Sequence, residues 1–355
     1  GDAGDGLQHF KLTNYLQGYV NTSTDCRNVR ISYVWAPSIS VILYASPTNG
    51  VKGLELDHVT AIVTDITTDG ATTVNCSGTG YDDSSCHHCD FSVPYDTDGS
   101  GFGSDCFQWN GSGYSIHDNF IRGYPLINAR GNHQDGQQAS GNGSYLKFYN
   151  NIFIDIANYG IFLEAYSGGY NHVLIYNNLG LSTYSRASSS VFIVAGTSGG
   201  FAGTIPCVFN DIVIANNMSV NFGSGGGMAL NNVTSTTTNF TNCYIENNVF
   251  VDSTGGLVLD GNSTTTVINN VSVTNATAPS YFSNYTRYNT DNDYHLLAGA
   301  SALIGTGIDA STLIGSLDKD GSTRLIWDIG IYIFNRSFIE KTTRRNVVKR
   351  LLINR

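Results

Sequence analysis

The chain has 355 residues, of which only 13% are charged, and a formal net charge of −10. That balance provides no basic face for phosphate and excludes nucleic acid as a general partner, while no apolar run approaches the eighteen residues of a membrane span. Gly, Asn, Ser, Thr and Tyr are abundant, Pro is scarce, and no long amphipathic helix precedes the last twenty residues, so the composition predicts an all-β chain of short strands and turns.

Gly1 opens the chain without an initiator Met or a signal peptide, which reads as a mature or trimmed product. Residues 1–24 form an N-terminal segment, followed by a solenoid over 25–334. Arg27-Asn28 and Asp57-His58 are degenerate versions of a corner step that becomes regular further along. The next clear corner, Asp118-Asn119, lies 61 residues after Asp57, and the stretch of about 66–112 is poor in apolar alternation. It reads as an excursion from the solenoid. Its four cysteines, Cys76, Cys86, Cys89 and Cys106, favour disulfides that replace a core. The alternative is a zinc site on Cys86-His87-His88-Cys89. Asp96 and Asp98 have the opening spacing of a Ca²⁺ loop, but Phe107 stands where an EF-hand needs a bidentate Glu; Asp90 or Asp105 would have to complete the site.

The next string, Asn132-His133-Gln134-Asp135-Gly136-Gln137-Gln138, places Asp135 at the start of an outward-facing strand, beside Tyr159 of the following coil. Arg130, His133, Asp135 and Tyr159 are the catalytic candidates. They would act by β-elimination on an acidic sugar, with a cation neutralising the carboxylate and a base at the α-carbon. The alternative is that Asp135 and Gln138 only hydrogen-bond a turn. Glu164 lies five residues further along the next coil, on the order of 16 Å from Asp135 at about 3.3 Å per residue, too far to be its partner on one bond.

From here the corner step recurs. Asn150-Asn151, Asn177-Asn178, Asn216-Asn217, Asn247-Asn248 and Asn269-Asn270 each end a short alternating strand and begin another. From Asn119 the spacings are 32, 27, 39, 31 and 22 residues. Coils of variable loop length predict a parallel β-helix, in which Asn tolerates the left-handed corner and both Asn columns stack internally as an amide ladder. A second strand follows each corner. Aligning Gly160–Ala165 with Ser190–Ala195, Gly227–Asn232 and Gly256–Gly261 sends Phe162 and Phe192 outward in one column and Glu164 in the next. With Gln138 they form the candidate sugar-binding groove.

The end of this span has the most specific wording: Asp293-Tyr294-His295-Leu296, Ala300–Gly307, Asp318–Arg324 and Asp328-Ile329-Gly330-Ile331-Tyr332. These strings, with the Asn-Asn repeat, resemble the pectate-lyase-like superfamily of right-handed parallel β-helices over roughly residues 25 to 333. In that closing segment Ala302 replaces a Pro. The Asp135 string is similar to the His-X-Asp-Gly-Ile-Gln string of many β-helix proteins and, more distantly, to a polygalacturonase string. The latter resemblance implies a catalytic carboxylate at Asp135, although Gln138 stands where that family has a second Asp. The resemblance implies an extracellular protein with a polysaccharide or other glycan as partner. The alternative is a non-catalytic structural glycoprotein of a filament, appendage or virion, capable of self-association.

Twelve Asn-X-Ser/Thr sequons occur. Asn21, Asn110, Asn142, Asn232, Asn239, Asn262, Asn275 and Asn284 are the glycosylation candidates. Asn217 and Asn270 are expected to be too buried for glycan. Residues 335–355 hold seven basic side chains against Glu340 and read as a basic tail.

Overall fold

The computed structural model describes residues 10–13, 29–33, 35–36, 41–42, 53–61, 74–76, 83–92, 105–109, 111–123, 135–184, 191–196, 207–222, 227–230, 239–253, 257–259, 264–324 and 327–332. They form a parallel β-helix. Strands one coil apart pair in parallel in a 17-stranded and a nine-stranded sheet. The larger sheet covers two faces of the solenoid, because Gln137–Tyr149 and Tyr159–Tyr176 run from one face into the next.

Alternation builds the interior. Ile31, Leu56, Cys86, Ile116, Phe148, Ile175, Ile214 and Ile245 stand in one register column, and all are buried. Each such side chain contributes about 1.5–3 kcal/mol where it is a large aliphatic or aromatic one. The next residue of each strand points outward: Asp57, His87, His117, Tyr149, Tyr176 and Ala215 form that column. A corner residue in the left-handed region follows, with φ between 53° and 57° at Tyr33, His58, His88, Asp118, Asn150, Asn177, Asn216, Asn247 and Asn269. Asn and Asp tolerate this conformation best, which explains the long Asn run.

The two Asn columns differ from the sequence expectation. Only the second is internal. From Asn119 through Asn151, Asn178, Asn217 and Asn248 to Asn270, each Oδ1 accepts both the backbone N–H and the Nδ2 of the Asn one coil before, at 2.8–3.1 Å. The first column sits outside the bend. There Asn177, Asn216, Asn247 and Asn269 donate Nδ2 to carbonyls of Leu317, Asp328, Ile308 and Thr306. The earlier corner is His58-Val59, one residue later than Asp57-His58.

The region around the cysteines is also corrected. Ser85–His87 and Asp90–Ser92 pair in register with the coils on both sides, so residues within 66–112 make a regular coil. Among the cysteines whose side chains are described, Cys86, Cys89, Cys106, Cys207 and Cys243, all buried, none is in a disulfide. The reason is position. Cys86 occupies the inward column, and Cys89 occupies the place of the ladder Asn, its N–H donating to Asn119 Oδ1 at 2.9 Å. Their sulfurs are 3.8 Å apart, as packed neighbours. Strand alternation sends His87 out while Cys86 goes in, so the four side chains of Cys86-His87-His88-Cys89 cannot share one zinc ion. Cys76 ends the strand Val74–Cys76.

The second-face register differs by two residues on both sides of the strand Val191–Gly196. Ile161 pairs with Ile193, not Val191, and Phe162 with Val194, not Phe192. Phe192 is therefore a core residue, fully buried. Its ring fills the space above two glycines: a Cβ on Gly160 or on Gly180 would come within 2.4 Å of it. The same shift recurs at the next step, where Ile193 pairs with Met228, not Leu230; only the last step, Met228 with Leu257, is as aligned.

Residues after Val273 fold back over the last coils. Ala278, Phe282, Tyr285, Tyr294, Leu303 and Ile331 pack on the outward Leu181, Val220 and Val251. Ala310, Ile314 and Trp327 cover Val213 and Ala215 on the neighbouring face. Inside this segment His295 bridges Asp293 (2.5 Å) and Asp320 (2.9 Å) and stacks on Tyr332.

Candidate functional site

The candidate groove starts from two equivalent carboxylates on successive coils. Phe107 pairs with Gln137 and Gln137 with Ile161, which places Asp105, Asp135 and Tyr159 in one column. Each carboxylate caps the next coil. Asp105 Oδ1 accepts the N–H of Asp135 at 2.9 Å, and Asp135 Oδ1 accepts the N–H of Tyr159 at 3.2 Å. Three residues along, a polar chain runs in parallel. Gln108 Nε2 donates to Asp105 Oδ2 (2.8 Å) and to Gln138 Oε1 (3.2 Å), and Gln138 Nε2 donates to Glu164 Oε2 (2.5 Å).

The row is more enclosed than an open groove. Asp135 is fully buried, and Asp105, Gln138, Phe162 and Glu164 are buried too, with Phe162 packed against Val194 and Tyr159. Gln108 and Tyr159 are half-buried. The expectation that Asp135 lies outside the core is thus overturned: the outward side of this strand is covered. Burial, then the charges of Asp105 and Glu164, push the Asp135 carboxyl well above the ordinary range, against the opposing bond from Tyr159 N–H. Burial, then the charges of Asp135 and Glu164, raise the Tyr159 hydroxyl. Of the influences on Asp135, that of Glu164 is the weakest.

Of the sequence candidates, the fold brings together Asp135, Tyr159, Gln138, Phe162 and Glu164. Phe192 belongs to the core. Arg130, His133, Asp96 and Asp98 lie outside the described residues. Gln108 was missed, and Asp105 was offered only as a Ca²⁺ ligand, not as a member of this row. Their signal is an Asp-X-X-Gln string, Asp105–Gln108 and Asp135–Gln138, repeated at a spacing of 30 residues.

Among the sequons, Asn142, Asn239 and Asn284 are exposed and Asn275 is half-buried, its Oδ1 accepting from Tyr285. Asn217 is buried with Nδ2 bound to the Ile175 and Ala215 carbonyls, whereas Asn270 is half-buried. Asn21, Asn110, Asn232 and Asn262 lie outside the described residues, as does the basic tail. Among the described residues, no helix is long and apolar enough to cross a membrane.

No protein-family model matches the chain, and no curated protein matches it. Among solved structures the chain is similar to one described as a new PL6 alginate lyase in complex with a trisaccharide. Identity is 14%, the alignment covers 78% of this chain and 76% of that one, and the TM-score is 0.40.

Proposed function

We propose that the chain is an extracellular β-helix protein of the pectate-lyase-like superfamily that binds a polysaccharide across its coils and cleaves it at the Asp105–Asp135–Glu164 row. The feature that carries this reading is the fully buried Asp135 carboxyl, capping the Tyr159 N–H beside Asp105 and pushed toward its acid form first by burial and then by the charges of Asp105 and Glu164. A carboxylic acid can protonate a departing glycosidic oxygen, while elimination asks first for a base. Hydrolysis is accordingly the favoured chemistry. In that reaction the Asp135 proton goes to the leaving oxygen, the glycosidic bond breaks, and water adds to the anomeric carbon with loss of its proton to a second carboxylate. Tyr159 and Gln108, at the edge of the row, offer a ring face and an amide to sugar.

The burial of Asp135, Gln138 and Glu164 favours a second reading, in which the row is a polar seam of a non-catalytic surface rod. A panel of neutral and acidic polysaccharides separates the two. Reducing-sugar release that disappears in Asp135→Asn supports hydrolysis, and unsaturated products read by absorbance support elimination instead. No binding and no product across the panel would establish the structural reading.

A further inference from the structure

On the face adjoining the Asn corners, the first coils carry a second cluster, unrelated to the carboxylate row. Asp57 and His87 occupy the outward column on successive coils, and His88 occupies the corner after His87. Their donor atoms converge. His87 Nδ1 lies 2.8 Å from His88 Nδ1, and Asp57 Oδ1 lies 3.3 Å from the first and 3.7 Å from the second. A triangle with these sides has a circumscribed radius of about 1.9 Å. A point about 0.7 Å above its plane is therefore about 2.05 Å from all three atoms, the bond length of zinc to imidazole nitrogen and carboxylate oxygen.

The surroundings orient the same three atoms. His87 Nε2 faces Glu55 Oε1 at 3.1 Å. A proton on Nε2 leaves Nδ1 with its lone pair toward the cluster, the carboxylate–histidine arrangement that supports metal-bound imidazoles. Asp57 is held from two sides, by Arg30 Nη2 on Oδ2 at 2.6 Å and by His58 Nδ1 on Oδ1 at 2.5 Å. The rings are fixed by stacking, His87 on His117 and His88 on His58. The Asp57 side chain is 5% exposed and that of His88 50% exposed, so the cluster has a buried wall and a solvent side.

We propose that Asp57, His87 and His88 bind a divalent first-row transition metal ion, with Glu55 and His58 as positioning residues and a coordination position left open to solvent. Two imidazole nitrogens and one carboxylate suit zinc and its neighbours in the series better than Ca²⁺ or Mg²⁺, which take oxygen ligands. Bridging residue 57 to residues 87–88 ties two coils together, so metal binding also stiffens the N-terminal end. The four-residue string Cys86–Cys89 contributes only its histidines.

The test uses the untagged full chain, stripped with chelator and titrated with ZnCl₂ by equilibrium dialysis with elemental analysis. Cobalt(II) serves as a spectroscopic probe. We expect one bound zinc per chain, cobalt d–d bands in the visible, and a higher melting temperature with metal than in chelator. His87→Ala and His88→Ala should each weaken zinc binding at least a hundredfold, and Glu55→Gln by roughly ten- to a hundredfold. His172→Ala removes an imidazole paired with Asp211 elsewhere on the surface, and should change nothing. The half-exposed His88 is the variant least able to disturb folding, and circular dichroism in chelator verifies that each variant is folded. The proposal is overturned by a folded wild-type chain that takes up no stoichiometric zinc. It is equally overturned by uptake that survives both His87→Ala and His88→Ala, or that disappears in His172→Ala.

Discussion

The outer face beside the Asn corners is one surface built twice. Through the first coils its columns read Arg30, Glu55, Asp57, His87, His117 and Tyr149, with His58, His88 and Asp118 at the corners. Through the later coils they read Leu174, Tyr176, Val213, Ala215 and Tyr244, with Asn at every corner. Backbone geometry is the same in both halves. Apolar side chains in the second half are covered by Ala310, Ile314 and Trp327, and the corner amides bind the covering chain. Ionisable side chains in the first half pair among themselves and remain partly open to water. The border falls at Asn150, whose carbonyl accepts from Lys319 Nζ. A solenoid fixes where side chains point, and the residue types in each column decide whether a face is sealed or left for a ligand.

The interior ladder gives the sharpest way to break this comparison. Asn178 donates Nδ2 to the Phe148 and Tyr176 carbonyls and to Asn217 Oδ1, and its own Oδ1 serves Asn151 N and Nδ2. Asn178→Ala strands several buried donors and acceptors at about 1–3 kcal/mol each, so a loss of about 4 kcal/mol is expected. Urea unfolding measures it, and a loss under about 1 kcal/mol would mean the amide chain is dispensable.

Next in size is the sealed half. Trp327 closes the patch of Val213 and Ala215, and Arg324 lies over its ring at 5.4 Å. Trp327→Ala should cost about 3 kcal/mol and leave residues 305–332 open to protease while the early coils stay resistant. Uniform sensitivity of both halves would remove the distinction.

A pH effect of intermediate size comes from His295. Burial lowers its pKa, but the bonds and charges of Asp293 and Asp320 outweigh that and raise it to about 9. A raised folded pKa stabilises fully below the ordinary value of about 6.5, and the contribution is lost as pH rises through about 9. Its size is on the order of 2 kcal/mol, since the ring is largely shielded from solvent. Melting temperature should fall between pH 7 and 10 in the wild type and stay flatter in His295→Gln.

Much of this was legible in the sequence. The Asn-Asn steps located the coils, because a left-handed corner and an interior amide both select Asn. The strand from Gly136 could be set against that from Gly160 because glycine recurs at the same place. Legibility failed where different chemistry filled the same geometric role. Val59 and Cys89 hold ladder positions without being Asn, so the early coils looked like an excursion, and buried thiols looked like cross-links. Phe192 was misplaced because its ring packs over Gly160 and Gly180, and Gly180 lies on another face, out of reach of a strand-by-strand alignment. The His cluster was half legible: His87 and His88 stood out as ligands, but Asp57, 30 residues before His87, becomes their neighbour only once the coil length is known.

The smallest expected effect separates a packing cysteine from a cross-linking one. Cys89 sits where Asn119 stands one coil later, but its sulfur lies near the N–H of Val59 at 3.4 Å and the carbonyl of His87 at 3.1 Å, weaker partners than an amide. Cys89→Ala therefore removes little hydrogen bonding and opens a small void, for a cost of about 1 kcal/mol. That is well below the figure for Asn178→Ala at the equivalent place in the sealed half. The same geometry predicts that reductant leaves the melting temperature unchanged. In denaturant without reductant, Cys86, Cys89 and Cys106 should all react with iodoacetamide, as mass spectrometry of their peptides would show. In the folded chain they should be protected, since all three are buried and burial raises the Cys106 thiol well above its ordinary pKa. If the melting temperature falls in reductant, or if two of these cysteines stay unalkylated in denaturant, the early coils are cross-linked, and the contrast between thiol-packed and amide-packed corners fails.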